Sequence, residues 1–165
     1  MYHKIRRGED VGLTLVEILV MVGALALVLV LTFIALNPGR RFAESRDAAR
    51  RKDARAVLEA VVGYVADNHG DFPSKIDSDA ATIQVIGADT SGCDAVCAGY
   101  PAATVIPSCA DLTEALVPKY LPKIPTDPGK GTSGDTRYYV NRTPGGRIEV
   151  GTCDPELSSA INIKG

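Results

Sequence analysis

From Ile18 to Leu36 the chain carries no charged residue, and apart from Met21, Gly23 and Thr32 the run is Val, Leu, Ala, Ile and Phe throughout. A helix from Leu13 to Leu36 would rise about 36 Å, against a hydrocarbon core of about 30 Å. Such a segment must be covered by lipid or by a bundle of helices. A cleaved secretory signal would be shorter and would end in a small-x-small site. Here the nearest match, Ala24-Leu25-Ala26, falls in mid-run and nothing similar follows. Glu17 sits at the head of the run. An ionised carboxylate costs at least ~2.5 kcal/mol near the bilayer centre and less toward the interface, so Glu17 needs a partner or a shallow position.

Charge is divided unevenly behind a formal net value of −2. Residues 1–55 hold ten Lys/Arg against six Asp/Glu, and residues 56–165 hold eight against fourteen. The acidic remainder is a poor match for a phosphate backbone, whose binding needs clustered Lys and Arg, so nucleic acid is not the default partner. All four cysteines, Cys93, Cys97, Cys109 and Cys153, lie in this part. An even set of cysteines behind a membrane segment predicts two disulfides and a non-cytoplasmic location. The alternative is a metal site, but a Cys-x3-Cys pair followed by two unevenly spaced cysteines, with no His after His69, is a weak zinc pattern. Of three possible pairings, Cys109–Cys153 with Cys93–Cys97 is the expectation: the first closes a long loop and the second tightens a turn.

Gly12-Leu13-Thr14-Leu15-Val16-Glu17, followed by the long apolar helix, resembles the class III signal of type IV pilins and type II secretion pseudopilins. In that family a membrane aspartyl protease, prepilin peptidase, cuts after the glycine and methylates the new N-terminus. The resemblance therefore implies cleavage between Gly12 and Leu13 and N-methylation of Leu13. It maps the family's glutamate at the fifth mature position onto Glu17, which would pair with the N-terminal amine of a neighbouring subunit. Two charges that are each costly in an apolar core would then compensate one another and set the axial register. The partners so implied are prepilin peptidase, membrane lipid, an inner-membrane assembly platform, and other copies and minor pilins in a helical filament. The topology implied is single-pass, with the N-terminus inside and the head outside. A count of seven Lys/Arg between Arg40 and Arg55 against three in the leader points the other way. The cysteines and the resemblance outweigh it.

The expected organisation is a leader at 1–12, a transmembrane and polymerisation helix at 13–36, an amphipathic stem at 37–73 and a globular head at 74–165. The fold class is α+β: a long N-terminal helix packed on a small head with an antiparallel sheet. Asn37-Pro38-Gly39 predicts a kink or local melting. Beyond it, Ala54, Val57, Leu58, Val61, Val62 and Val65 recur at helical spacing and predict the stripe that holds the head. Asp47 and Arg51 form an i,i+4 pair, and Arg50-Arg51-Lys52 reads either as a solvated face or as a patch for lipid headgroups or acidic neighbouring heads. The turn Asp67 to Pro73 ends the helix. Tyr64 with Gly70-Asp71-Phe72-Pro73, and Tyr120-Leu121 with Pro125-Thr126-Asp127-Pro128, resemble segments of pseudopilin heads.

The head offers few large anchors, Tyr100, Tyr120, Tyr138 and Tyr139, with no Trp, so covalent staples are expected. A short strand is predicted at 81–86, and a short helix from Asp111-Leu112-Thr113-Glu114 to about Val117, with capping-box-like spacing. Strands at 137–141 and 147–152 should form a hairpin through Pro144-Gly145-Gly146. The resemblance also raises calcium, with Asp127 and Asp135 as its candidates; an ordinary exposed turn has the same composition. Asn141-Arg142-Thr143 matches a glycosylation acceptor, a pattern common by chance. With His3 in the leader and His69 ending the stem, no catalytic constellation is evident, and an enzyme is not expected. The implied function is structural, as a subunit of a pilus or pseudopilus. The alternative is a membrane-anchored extracytoplasmic binding module that does not polymerise.

Overall fold

A computed structural model describes residues 12–97 and 104–165. Residues 1–11, His3 among them, and residues 98–103, Tyr100 among them, lie outside the described residues. The chain divides into two compact units, one ending at Arg41 and the other running from Phe42 to Gly165.

In the first unit, helix α1 spans Leu15–Leu36 and ends at Asn37, which adopts a left-handed conformation with φ 42°. Asn and Gly tolerate that region where bulkier residues resist it. Helix α2, Pro38–Asp67, restarts at once. Proline at a first helical position loses nothing, because its missing N–H would have had no partner there. The Asn37 carbonyl accepts from the N–H of Arg40 and Arg41 at 3.1 and 3.3 Å. The expected interruption is thus a clean stop and restart.

In the second unit, α2 lies against a five-stranded sheet. The strands are β1 (Thr82–Val85), β2 (Thr104–Val105), β3 (Tyr138–Arg142), β4 (Ile148–Thr152) and β5 (Asn162–Lys164), in the order β2-β1-β3-β4-β5. Short helices α3 (Cys93–Val96) and α4 (Thr113–Leu116) connect them. The fold is α+β. The sheet is mixed, because β1 and β2 pair in parallel while β1–β3, β3–β4 and β4–β5 are antiparallel. The expected hairpin is β3–β4, paired from Tyr138↔Thr152 to Arg142↔Ile148.

Side chains alternate across a strand, and β3 is buried on both faces. Tyr138 and Val140 join Ala54, Val57, Leu58 and Val61 of α2 in the main core. Tyr139 points the other way, into a second cluster with Ile83, Val85, Cys93 and Cys97. This accounts for the unbroken apolar run Tyr138-Tyr139-Val140. The α2 stripe holds for Ala54, Val57, Leu58 and Val61, whereas Val62 is 48% exposed. One helical step of about 100° separates it from Val61, which carries it off the packed face.

The second cluster is stapled by disulfides Cys93–Cys109 and Cys97–Cys153, with Cα–Cα distances of 5.5 and 5.0 Å. The expected pairing of Cys93 with Cys97 and Cys109 with Cys153 is therefore incorrect. Cys93 opens α3 and Cys97 caps it. On a helix, Cβ atoms four residues apart stand about 5–6 Å from each other, beyond the 3.5–4.5 Å a disulfide needs. Asp111 also acts differently from expectation. Leu112, not Asp111, is the N-cap of α4 and makes no side-chain cap bond. Asp111 instead accepts the Thr113 N–H at 3.0 Å in a local turn.

Candidate functional site

Gly12 and Leu13 lie in exposed non-helical chain ahead of α1. Thr14 is the N-cap: its Oγ1 accepts the Glu17 N–H at 3.2 Å and its carbonyl accepts the Ile18 N–H at 3.1 Å. Thr14-Leu15-Val16-Glu17 thus has the S/T-x-x-E spacing of a capping box, a signal present in the sequence but overshadowed there by the apolar run. Glu17 also stands in the first turn, where the helix dipole favours a negative charge. Its carboxylate is exposed and has no basic partner among the described residues. Along α1 no side chain is buried: Leu15 is 83% and Phe33 67% exposed. A helix apolar all round with every described side chain exposed requires lipid or other helices around it. It is long and apolar enough to cross a membrane.

The second charged centre lies in the other unit, at Arg50. Its side chain is 2% exposed and meets three carboxylates. Nε and Nη2 donate to Asp127, at 2.5 and 3.2 Å; Nη1 donates to Asp47 at 2.8 Å and to Glu156 at 2.7 Å. Asp47 is the i,i+3 partner, so the expected Asp47–Arg51 pair does not form; Arg51 donates to Ser158 Oγ at 2.8 Å. Asp47 further accepts the backbone N–H of Glu156 and Leu157, at 3.1 and 2.9 Å. Arg46 adds a second cation on Glu156, with Nε 2.6 Å from Oε1.

Burial pushes the Asp127 carboxyl up, but Arg50 and the N–H groups of Gly129 and Lys130 outweigh it and hold its pKa below 3.8. Asp47 behaves alike: burial raises it, and the Leu157 and Glu156 N–H groups with Arg50 bring it below its ordinary value. Arg46 and then Arg50 hold Glu156 at about 2. The arrangement joins the stem to the Pro-x-Asp-Pro segment and to the chain following β4. Sequence reading missed it because Arg50 sits in a charge run that resembles a solvated face, and its acids lie 77 and 106 residues away.

The calcium candidates do not face one another in an open loop. Asp127 is 4% exposed and turned to Arg50. Asp135 accepts the Arg137 N–H at 3.0 Å and lies 3.5 Å from its guanidinium. Any cation at Asp127 would have to displace Arg50. No group of three or more His, Cys, Asp or Glu fit to hold a metal occurs among the described residues. The four cysteines come together as two disulfides, described above. His69 terminates the stem at φ 58°. Asn141 uses its amide to donate to the Ala80 carbonyl at 3.2 Å, leaving a half-buried side chain. At the same end of the stem, Tyr64 meets Tyr120 edge-on at 5.9 Å, and Tyr120 donates to Asp67 at 2.9 Å.

No protein-family model matches the chain, and no match was found among curated proteins or solved structures.

Proposed function

We propose that the chain is the precursor of a type IV pilin-like structural subunit. Prepilin peptidase cuts it between Gly12 and Leu13 and methylates Leu13, and the product polymerises through α1 into a pilus or a type II secretion pseudopilus. Before assembly α1 lies in the cytoplasmic membrane with the head outside. The assembly platform, minor pilins and further copies are its partners. One observation carries the reading: a helix apolar on every side with every side chain exposed, and five residues past Gly12 a carboxylate that has no basic partner among the described residues. A membrane anchor needs the apolar surface but not the acid, whereas a bundle of identical helices uses both. Gly12 and Leu13 are exposed and non-helical, as a bond to be cut by a protease must be.

A specific observation favours a second reading, the anchored module that does not polymerise. Glu17 stands in the first turn of α1, where the helix dipole favours a negative charge, and this would account for the acid without any neighbour.

The processing step is tested by N-terminal sequencing and intact mass of the membrane-derived protein. Methylated Leu13 should be the first residue, and Gly12→Ala or a bulkier substitution should leave uncut precursor. A mature chain beginning elsewhere overturns the cleavage assignment.

A further inference from the structure

We propose that the unit from Phe42 to Gly165 carries both halves of a charge-matched contact between copies of this chain. The groove of Arg51, Lys52 and Arg55 on one copy receives the acidic cleft of Asp89, Asp111 and Glu114 on the next. The inference rests on the filament reading above and names the surfaces by which heads meet.

The groove, of about 460 Å³, lies between α2 and residues 160–163, which include the start of the edge strand β5. Arg51 and Arg55 are one turn apart, and Lys52 and Arg55 three residues apart, so all three cations share a face. All are exposed, and among the described residues none is paired with a carboxylate. Among the described residues the side-chain hydrogen bond made there is from Arg51 to the neutral Ser158 hydroxyl. Arg46 and Arg50, a turn earlier, are by contrast saturated with acids. Three like charges without an acid repel one another, and a carboxylate surface relieves them.

The cleft, of about 650 Å³, has the opposite character. Asp89, Asp111 and Glu114 line it with one cation, Lys75, and all three acids are exposed. Asp89 and Glu114 have no basic partner among the described residues. Beside it, Lys75, Asp111 and Glu114 also border Tyr64 of α2. Along α2, Lys52 and Tyr64 are twelve residues apart, about 18 Å. The two patches therefore sit at different heights on one compact unit and cannot neutralise each other within it. Different patches meeting head to tail form a heterologous contact, which propagates into a ring or an open helical filament. Opposite charge steers such docking and fixes its register.

The test uses full-length protein in its native membranes and sheared filaments, from cells shifted from unlabelled to nitrogen-15 medium, so that one membrane pool supplies copies of both isotopes. A zero-length carbodiimide condenses a Lys52 amine with a nearby carboxyl, with loss of water, and mass spectrometry maps the linked peptides. Mixed-isotope peptides joining Lys52 to Asp89, Asp111 or Glu114 are expected. In parallel, Arg55→Glu and Glu114→Arg should each lower the sheared-filament yield by about tenfold, as like charges are brought together, and the double variant should recover it. Native disulfide mapping on each variant confirms that the head is folded. Filaments lacking this link, or linking Lys52 to a different protein, overturn the inference while leaving the filament reading intact. Wild-type protein that never leaves the monomer overturns both.

Discussion

With Arg50 gone, Asp47 and Asp127 would remain ionised in a site closed to water. Removing one partner of a buried ion network costs about 3–5 kcal/mol, because the desolvated charge left behind has nothing to compensate it. Arg50→Met should therefore lower the stability of the detergent-solubilised protein by that amount in chemical denaturation. Arg51→Met, at the next residue but exposed, should stay within about 0.5 kcal/mol. Equal effects from both would mean that Arg50 is solvated like its neighbour. The same carboxylates set the acid limit. Asp47 and Asp127 titrate below their ordinary value in the folded chain, and Glu156 falls from 4.5 to about 2. A depressed folded pKa contributes stability that is complete above the unfolded value and is lost as pH falls toward the folded one. The melting temperature should hold above about pH 4.5 and decline steadily toward pH 2, and a flat profile across that window would contradict the network. None of this was legible at residues 50–52, since a run of cations looks the same whether its acids are remote in sequence or absent.

At the scale of elements, legibility followed length and periodicity. The α2 stripe and the β3–β4 hairpin could be read because each repeats its pattern over several residues and ends in turn chemistry. β2 and β5, of two and three residues, are too short to carry a period, and the parallel β1–β2 pair joins segments about twenty residues apart. The disulfide pairing was hidden for a related reason: spacing along the chain does not reveal that Cys97 lies on the turn of α3 that faces Cys153. Peptide mapping without reduction should recover Cys93–Cys109 and Cys97–Cys153 and no free thiol. A Cys93–Cys97 peptide would refute the arrangement. The two bridges close separations of 16 and 56 residues, and both border the cluster around Tyr139. Reduction should cost about 2–5 kcal/mol if the head behaves as small secreted domains do.

On the scale of the whole molecule, the account divides labour between an uncovered apolar helix that needs neighbours and a stapled α+β head. In the proposed filament the contact between α1 helices rests on Glu17, for which two physical roles compete. One is a local role in the first turn of α1, and the other is neutralising the amine of an adjacent copy. Glu17→Gln separates them, because glutamine serves the third position of a capping box as glutamate does but carries no charge. An anchor that used Glu17 only in this local role would lose no partner and would insert at lower cost. A polymerising subunit would still insert and be cut after Gly12, yet each neighbour's buried amine would lose its partner at about 3–5 kcal/mol. The deciding measurement is the sheared-filament fraction beside the membrane fraction for wild type and Glu17→Gln. The account predicts filaments from the wild type, with the variant processed, present in the membrane and nearly absent from filaments; equal filament yields from both would contradict it.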